Sequence, residues 1–315
     1  MESNDIYRAR VSEDVSGSGG WDENVRQIEY LSSADNNDQP AQFYCPDKDN
    51  PVPLLVGLHN WSSGYRESDL GAPYAHWCVE NGWAFIYPDF RGPNYRPEAT
   101  GSELAVQDVI SAVDYAKANA NVDVSRIYLA GVSGGGYATL LMAGRASEIW
   151  AAASAWASIS DLKAWYYECK KNDLNYYKHI AWSCGGEPVD GSQAEEQCRK
   201  RSAITYLANA KNVPLDINTG IHDGYAGSVY ISHSLNAFNA LAAETDKISQ
   251  EQIDYFVTKQ EVPPELVSEI SDPLYSDKKV LFRRESGNAR ITIFQGGHEI
   301  LYLPCLSWLA GNVKK

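Results

Sequence analysis

The chain has 315 residues, 44% hydrophobic and 22% charged, which is the profile of an ordinary globular protein with room for a sizeable core. Its formal charge of −14 argues against nucleic acid or an anionic membrane surface as the main partner, since both require a basic footprint, and mildly against a polyanionic substrate. No apolar run approaches the ~18 residues of a membrane span, and none of the six cysteines forms a C-x-x-C pair, which argues against a zinc site.

Residues 1–24 read as a polar tail, with Gly17-Ser18-Gly19-Gly20 near its end. The opening MESNDIYRAR lacks the apolar h-region of a signal peptide, so a periplasmic or extracellular location would require a leader that this chain does not show. From residue 25 to 315 the pattern is that of a single domain. Gln27–Ser33 and Gln42–Cys45 are β-rich and flank a dense turn signal over 34–40, which predicts an antiparallel hairpin at a sheet edge. Strands and helices then alternate. Val52–Leu58 is an apolar strand and Ala72–Glu80 a helix. Trp83–Tyr87 and Ser102–Asn119 repeat the pair, the helix aligning Val106, Val109, Ile110 and Val113 on one face. Arg126–Leu129 is the next strand, followed by a helix from Gly134 to about Arg145, and then the strand Ala151–Trp156. Leu215–Asn218 precedes a helix from Ser228 with Ile231, Leu235 and Phe238 on one side. Arg290–Phe294 and Ile300–Leu309 close the series. Such alternation implies an α/β architecture, a mostly parallel central sheet with helices on both faces. In such sheets ligands sit at the carboxyl ends of the strands.

Two intervals break the rhythm. Nearly sixty residues rich in Trp, Tyr and Cys separate Trp156 from Pro214, too many for a structureless loop in a compact domain. They predict a helical cap insertion, about residues 157–213, over the strand ends. Gln250–Lys278 forms a second, polar insertion. Cys78 and Cys305 lie in apolar helical contexts and read as small buried hydrophobes. Cys184 and Cys198 share one irregular segment and are candidates for a disulfide, which would mark an exported protein.

Gly131-Val132-Ser133-Gly134-Gly135 fits G-x-S-x-G between a predicted strand and a predicted helix. A nucleophilic serine on a sharp turn needs small neighbours, and the turn exposes its hydroxyl while the Gly134 N–H, at the start of a helix, is placed to donate to an oxyanion. The bland reading is a glycine-rich turn that only packs closely; the strand before, the helix after and the partners further along favour the chemical one. Such an elbow resembles that of the α/β-hydrolase fold, in which acid and then histidine follow the serine. His298, in Phe294-Gln295-Gly296-Gly297-His298 just past the last strand, is the candidate base; the alternative is a loop histidine that caps the next helix. His179 falls in the predicted cap and His233 inside a predicted helix. Asp223, reached from the strand ending at Asn218 through Thr219-Gly220-Ile221-His222, is the candidate acid. Asp161, just beyond Trp156, is its rival, whereas Asp89 precedes the serine and breaks the order. His222 reads as a positioning or structural residue. A second oxyanion donor is expected in Leu58-His59-Asn60-Trp61-Ser62-Ser63-Gly64, with the Trp61 N–H first and Asn60 second. Asn60-Trp61-Ser62 also matches a glycosylation acceptor, but a glycan there would block the site.

Tyr87-Pro88-Asp89-Phe90-Arg91-Gly92, the elbow GVSGGG, Arg201-Ser202-Ala203-Ile204 and the terminal Gly-Gly-His together resemble the catalytic domain of prolyl oligopeptidase-like hydrolases, over about residues 50–310. The resemblance implies the α/β-hydrolase fold, with Ser133, Asp223 and His298 in the triad positions. Two features depart from it. Peptidases of this kind carry a large β-propeller ahead of the hydrolase domain, for which about fifty preceding residues leave no room. The acid loop Asp223–Val229 is also longer than the usual peptidase version. Stand-alone relatives include esterases that remove acyl groups from plant and algal polysaccharides.

Without a propeller nothing restricts access to short peptides, and esters are easier targets than amides. The predicted cap region is aromatic, with Trp156, Trp165, Tyr166, Tyr167, Tyr176, Tyr177 and Trp182. Such faces suit sugar rings or aryl groups, although any single ring can serve simply to pack the cap. Asn60, Trp156 and Trp182 are candidate substrate contacts, and Arg91 either meets a substrate carboxylate or pairs with Asp89. The expectation is a serine ester hydrolase that removes acetyl or feruloyl groups from a carbohydrate, its substrate a small-molecule or polysaccharide ester. The reaction would pass through an acyl-enzyme on Ser133 and need no metal or organic cofactor. A peptidase or amidase and a catalytically silent binding module are the alternatives.

Overall fold

The computed structural model describes residues 20–46 and 49–314, so residues 1–19 of the expected tail lie outside the described residues. In chain order the elements begin with β1 (Arg26–Leu31), β2 (Asp38–Tyr44), β3 (Val52–Leu58), α1 (Ser68–Asn81), β4 (Ala84–Pro88) and α2 (Glu103–Asn119). β5 (Val122–Val132), α3 (Gly134–Arg145) and β6 (Ala152–Trp156) follow, then α4 (Leu162–Lys171), α5 (Tyr176–Cys184) and α6 (Gln193–Arg201). The chain continues through β7 (Leu215–Gly220), α7 (Ser232–Asn239), α8 (Gln250–Lys259), β8 (Val280–Ser286), β9 (Ala289–Phe294) and α9 (Tyr302–Ala310).

The strands form a nine-stranded sheet in the order β1-β2-β4-β3-β5-β6-β7-β9-β8. From β4 to β9 neighbouring strands are parallel, while β1, β2 and β8 run antiparallel at the two edges. Burial explains the all-apolar inner strands: every residue of β3 is buried, as a strand covered on both faces requires. Its side chains alternate between two cores. Leu54, Val56 and Leu58 join Val106 and Val109 of α2, Leu140 of α3 and Phe238 of α7, whereas Leu55 joins Trp77 of α1 and Leu306 of α9.

Short polar side chains set the starts of α2, α4, α6 and α8. Ser102 accepts from the Ala105 N–H ahead of α2, and Ser249 with Gln252 forms a capping box on α8. Asp161, the rival acid, accepts from the N–H groups of Lys163 and Ala164 and so serves as the cap of α4. The long interval after β6 is filled by α4, α5 and α6, which pack on one another through Leu162, Trp165, Cys169, Ile180 and Cys198. Cys184 on α5 and Cys198 on α6 stand in thiol–thiol contact as free thiols rather than as the disulfide considered above.

The polar segment 250–278 contains α8 and leads into β8, a strand the sequence pattern did not reveal. Its charged stretch Arg283-Arg284-Glu285 hides the alternation. The hairpin to β9 closes through Gly287-Asn288, with Gly287 at φ 58°, the arrangement of a two-residue turn with glycine first.

The winding direction reverses between β3 and β5: β4 lies on one side of β3 and β5 on the other. The crevice beyond their carboxyl ends is where an open α/β sheet offers a ligand site. The loops that carry Asn60-Trp61 and Ser133 flank it.

Candidate active site

Ser133 sits between the end of β5 and the start of α3 with φ 59° and ψ −120°, a conformation that costs a non-glycine residue on the order of 1–3 kcal/mol. The turn is held from both sides. The Ser133 N–H donates to the Trp156 carbonyl (2.9 Å), and the Ser133 carbonyl accepts from Tyr137 N–H (2.8 Å) as the first helical bond. Its glycines are required by packing. A Cβ on Gly131 would stand 2.8 Å from the Gly135 Cα, and one on Gly135 would stand 3.0 Å from the Leu58 carbonyl carbon. Gly134 is pressed against the loop after β3: a Cβ there would meet the N and Cα of Trp61 inside van der Waals contact. The backbone of Gly134, whose N–H is unpartnered within its helix, is therefore packed against the Trp61 backbone next to the serine.

The Trp61 peptide is fixed on both sides. The Asn60 carbonyl, which shares a peptide bond with the Trp61 N–H, lies 2.8 Å from His59 Nδ1. The Trp61 carbonyl accepts from the Asn94 N–H at 2.8 Å. His59 is fully buried, stacks on Phe90 at 4.0 Å, and places Nε2 2.8 Å from the Asp89 carbonyl. Burial pushes its pKa below the ordinary histidine value. Asp89 O also accepts from the Gly92 N–H at 2.7 Å, and a neutral His59 can donate to only one of the two carbonyls that face its ring nitrogens. The Asn60 side chain accepts from Ser62 N–H (3.1 Å) and Ser63 Oγ (2.9 Å), fastening the same turn.

Asp223 follows β7 and His298 follows β9, on the same edge of the sheet as Ser133. His298 Nδ1 lies 2.9 Å from both carboxylate oxygens of Asp223. The carboxylate is buried and also accepts from the N–H groups of Gly224 (2.8 Å) and Val229 (3.3 Å), while the imidazole keeps 21% of its side-chain surface exposed. The acid loop wraps this pair so closely that a Cβ on Gly227 would collide with both residues. His222 braces the loop: it lies 2.8 Å from Gln260 Oε1 through Nδ1 and 2.8 Å from Gln295 Nε2 through Nε2. Gln260 ends α8, so the polar 250–278 segment contributes a brace to the acid loop. Sequence reading missed His59, Asn94, Gln260 and Gln295 in these roles, because each acts through a partner that only the fold brings close.

Two expected substrate contacts are corrected. Arg91 pairs neither with Asp89 nor with the crevice: its guanidinium bonds Asp108 (2.6 and 3.0 Å) and Asp35 (2.7 and 3.0 Å). Those two acids hold its pKa above the ordinary arginine value. It pins the turn after β4, where Phe90, Arg91 and Gly92 all have positive φ. Trp156 is fully buried, donates from Nε1 to Ser154 Oγ (2.9 Å) and packs against Tyr275 and Phe294 in the core. Trp182, by contrast, is exposed on α5. His233 is buried in the first turn of α7, with Nε2 3.0 Å from Glu168 Oε2. Among the described residues no group of three or more His, Cys, Asp or Glu is arranged to hold a metal ion, and no helix is long and apolar enough to cross a membrane.

The buried Asp223 carboxylate and the partly exposed His298 imidazole thus form a hydrogen-bonded pair on the sheet edge that also carries the strained Ser133 turn. Over 128 residues, 38% of this chain, the sequence is 25% identical to feruloyl esterase B of Thermothelomyces thermophilus, covering 43% of that protein. Among solved structures, the chain resembles the acylaminoacyl peptidase of Pyrococcus horikoshii, with TM-score 0.53 and 20% identity over 69% of this chain and 34% of that one. It also resembles a Mycobacterium tuberculosis puromycin-hydrolyzing peptidase, with TM-score 0.57 and 16% identity over 91% of this chain and 38% of that one. The chain spans less than half the length of each of these relatives. At such identities the structural likeness carries the fold, that of the α/β-hydrolases. The family profile of prolyl oligopeptidases matches residues 73–257, more than half of the chain, and the chain therefore belongs to the prolyl oligopeptidase family.

Proposed function

We propose that this chain is a serine carboxylic-ester hydrolase that removes acyl groups, acetyl or feruloyl, from a carbohydrate, with α4–α6 as a cap beside the site. The observation that carries the reading is the Asp223–His298 pair, with Nδ1 at 2.9 Å from the carboxylate, on the same sheet edge as the strained Ser133. His298 takes the proton of Ser133, whose oxygen attacks the ester carbonyl. The Gly134 and Trp61 N–H groups receive the oxyanion, and His298 returns the proton to the departing alcohol. Water activated by His298 then releases the acid. Asp223 keeps the imidazole in the tautomer with its proton on Nδ1, so that Nε2 faces the serine. An ester rather than an amide is favoured by the similarity to feruloyl esterase B and by the aromatic helices next to the site.

The test is a substrate panel of acetylated xylan, feruloylated arabinoxylan and short p-nitrophenyl esters, with a fluorophosphonate label as control. Ester turnover and labelling, both lost in Ser133→Ala, are expected; labelling without cleavage of any ester would overturn the ester reading. A peptidase is the second reading, favoured by the family and by the peptidases of similar fold. Cleavage of dipeptide anilides in preference to the esters would establish it.

A further inference from the structure

Trp61 is 2% exposed, yet its indole N–H is directed out of the core: Nε1 donates to His179 Nδ1 at 3.3 Å. His179, on α5, stands between two exposed rings. Tyr95 lies 5.6 Å from it, centroid to centroid, and Trp182 lies 5.5 Å from it. Tyr95 is 39% and Trp182 57% exposed. His179 and Trp182 are three apart on one helix and meet for that reason, but Tyr95 comes from the loop after β4, so the row of rings is assembled by the fold.

We propose that Tyr95, His179 and Trp182 form a subsite for a neutral sugar ring of the ester substrate, next to the oxyanion loop. This rests on the ester-hydrolase reading and names the alcohol part that the same site receives. Position is the first argument. One residue, Trp61, supplies both the backbone N–H beside Gly134 and the indole bonded to His179, so the row of rings begins where that indole ends. Chemistry is the second. Nδ1 of His179 is the acceptor for the indole N–H, so the neutral imidazole carries its proton on Nε2 and keeps a donor to offer. Burial, and then Lys178, pushes this histidine below its ordinary pKa, which favours that neutral form. Open aromatic faces with an uncharged donor between them match a pyranose, whose C–H face stacks on rings and whose hydroxyl oxygens accept hydrogen bonds. Arg91, the residue that would have suited a uronic acid, is consumed by Asp35 and Asp108.

The experiment compares two esters with the same acyl group, an acetylated xylo-oligosaccharide and ethyl acetate, followed by pH-stat. In Trp182→Ala and in Tyr95→Ala the ratio of kcat/KM for the oligosaccharide to that for ethyl acetate should fall about 10-fold, through KM. An unchanged ratio overturns the subsite. A third ester, methyl ferulate, separates the two uses of an aromatic surface: loss confined to it would assign the rings to an aryl acyl group and overturn the sugar reading. A measurement free of turnover keeps the two proposals apart. Tryptophan fluorescence of the Ser133→Ala protein, titrated with unacylated xylo-oligosaccharide, should show saturable quenching that disappears in the Ser133→Ala/Trp182→Ala double variant. Quenching without any ester hydrolysis by the wild type would remove the reaction and leave the subsite standing; no quenching would remove the subsite alone.

Discussion

Gly134→Ala is the most direct probe of the oxyanion arrangement, because the structure states what the added methyl meets. Its Cβ would lie 2.8 Å from the Asn60 carbonyl carbon and closer still to the N and Cα of Trp61. Comfortable contact between such atoms is about 3.5 Å, so the Asn60–Trp61 peptide must retreat by roughly 1 Å. A donor at about 2.9 Å from the oxyanion would then stand near 4 Å, outside hydrogen-bond range. Losing one such donor lowers kcat by about 10²–10³, equivalent to roughly 2.7–4 kcal/mol, with little change in KM because the contact is made in the transition state. Overpacking adds about 1–3 kcal/mol of destabilisation, so kcat on p-nitrophenyl acetate is to be read well below the thermal midpoint of the variant. A folded Gly134→Ala protein with wild-type kcat would refute the assignment of the Trp61 N–H as an oxyanion donor.

Asp223→Asn keeps the volume but presents an amide to His298 Nδ1, which favours the wrong tautomer; kcat should drop about 10⁴-fold with the melting temperature little altered, and a loss below tenfold would dismiss Asp223 as the orienting acid. Arg91→Ala leaves the fully buried carboxylate of Asp108 without its guanidinium, and a broken buried pair costs about 3–5 kcal/mol. Urea titration reads that loss, whereas a substrate contact would raise KM and spare stability. Burial holds His59 below its ordinary pKa, and burial with Lys178 does the same for His179. The unfolded chain therefore takes up their protons first as pH drops through about 6.5, and stability that is full above that pH is lost as pH falls through the folded values. The urea midpoint should decline from pH 7.5 to pH 5, and a flat or rising midpoint would contradict the neutral state of both rings.

The legible parts of this molecule are those whose partners lie close in sequence or whose pattern repeats. VPLLVGL over 52–58 reads as a strand buried on both faces because nothing in it tolerates water, and all seven residues are buried. GVSGGG reads as an elbow because two backbones must pass within reach of each other at Gly131 and Gly135. Trp156 misled for a related reason. It ends a strand at the ligand edge, but alternation along that strand turns its ring into the core with Tyr275 and Phe294. Asp161 was ambiguous because the same carboxylate that suits a triad also suits the start of a helix. β8 was hidden because an edge strand can carry charge on its open side.

Arg91 shows why a motif can be recognised while its purpose stays out of sight. Its acids come from the hairpin turn at Asp35 and from α2 at Asp108, neither of which announces itself near residue 91. Once they are in place, the whole Asp89-Phe90-Arg91-Gly92 turn acquires a physical reason. The two ion pairs stabilise three successive residues of positive φ. That turn presents the Asp89 carbonyl to His59 and the Phe90 ring to its face. His59 in turn stands 2.8 Å from the Asn60 carbonyl, and a trans peptide that fixes its carbonyl also fixes the direction of the Trp61 N–H on the other side. The strain at Ser133 and the strain at residues 90–92 therefore converge on one peptide bond, from opposite sides of the crevice where the sheet reverses its winding. On the proposed mechanism the Trp61 N–H is aimed at a developing charge, and such a donor is worth most when it cannot relax away; the elbow glycine and the buried histidine both pack against that peptide and limit its movement.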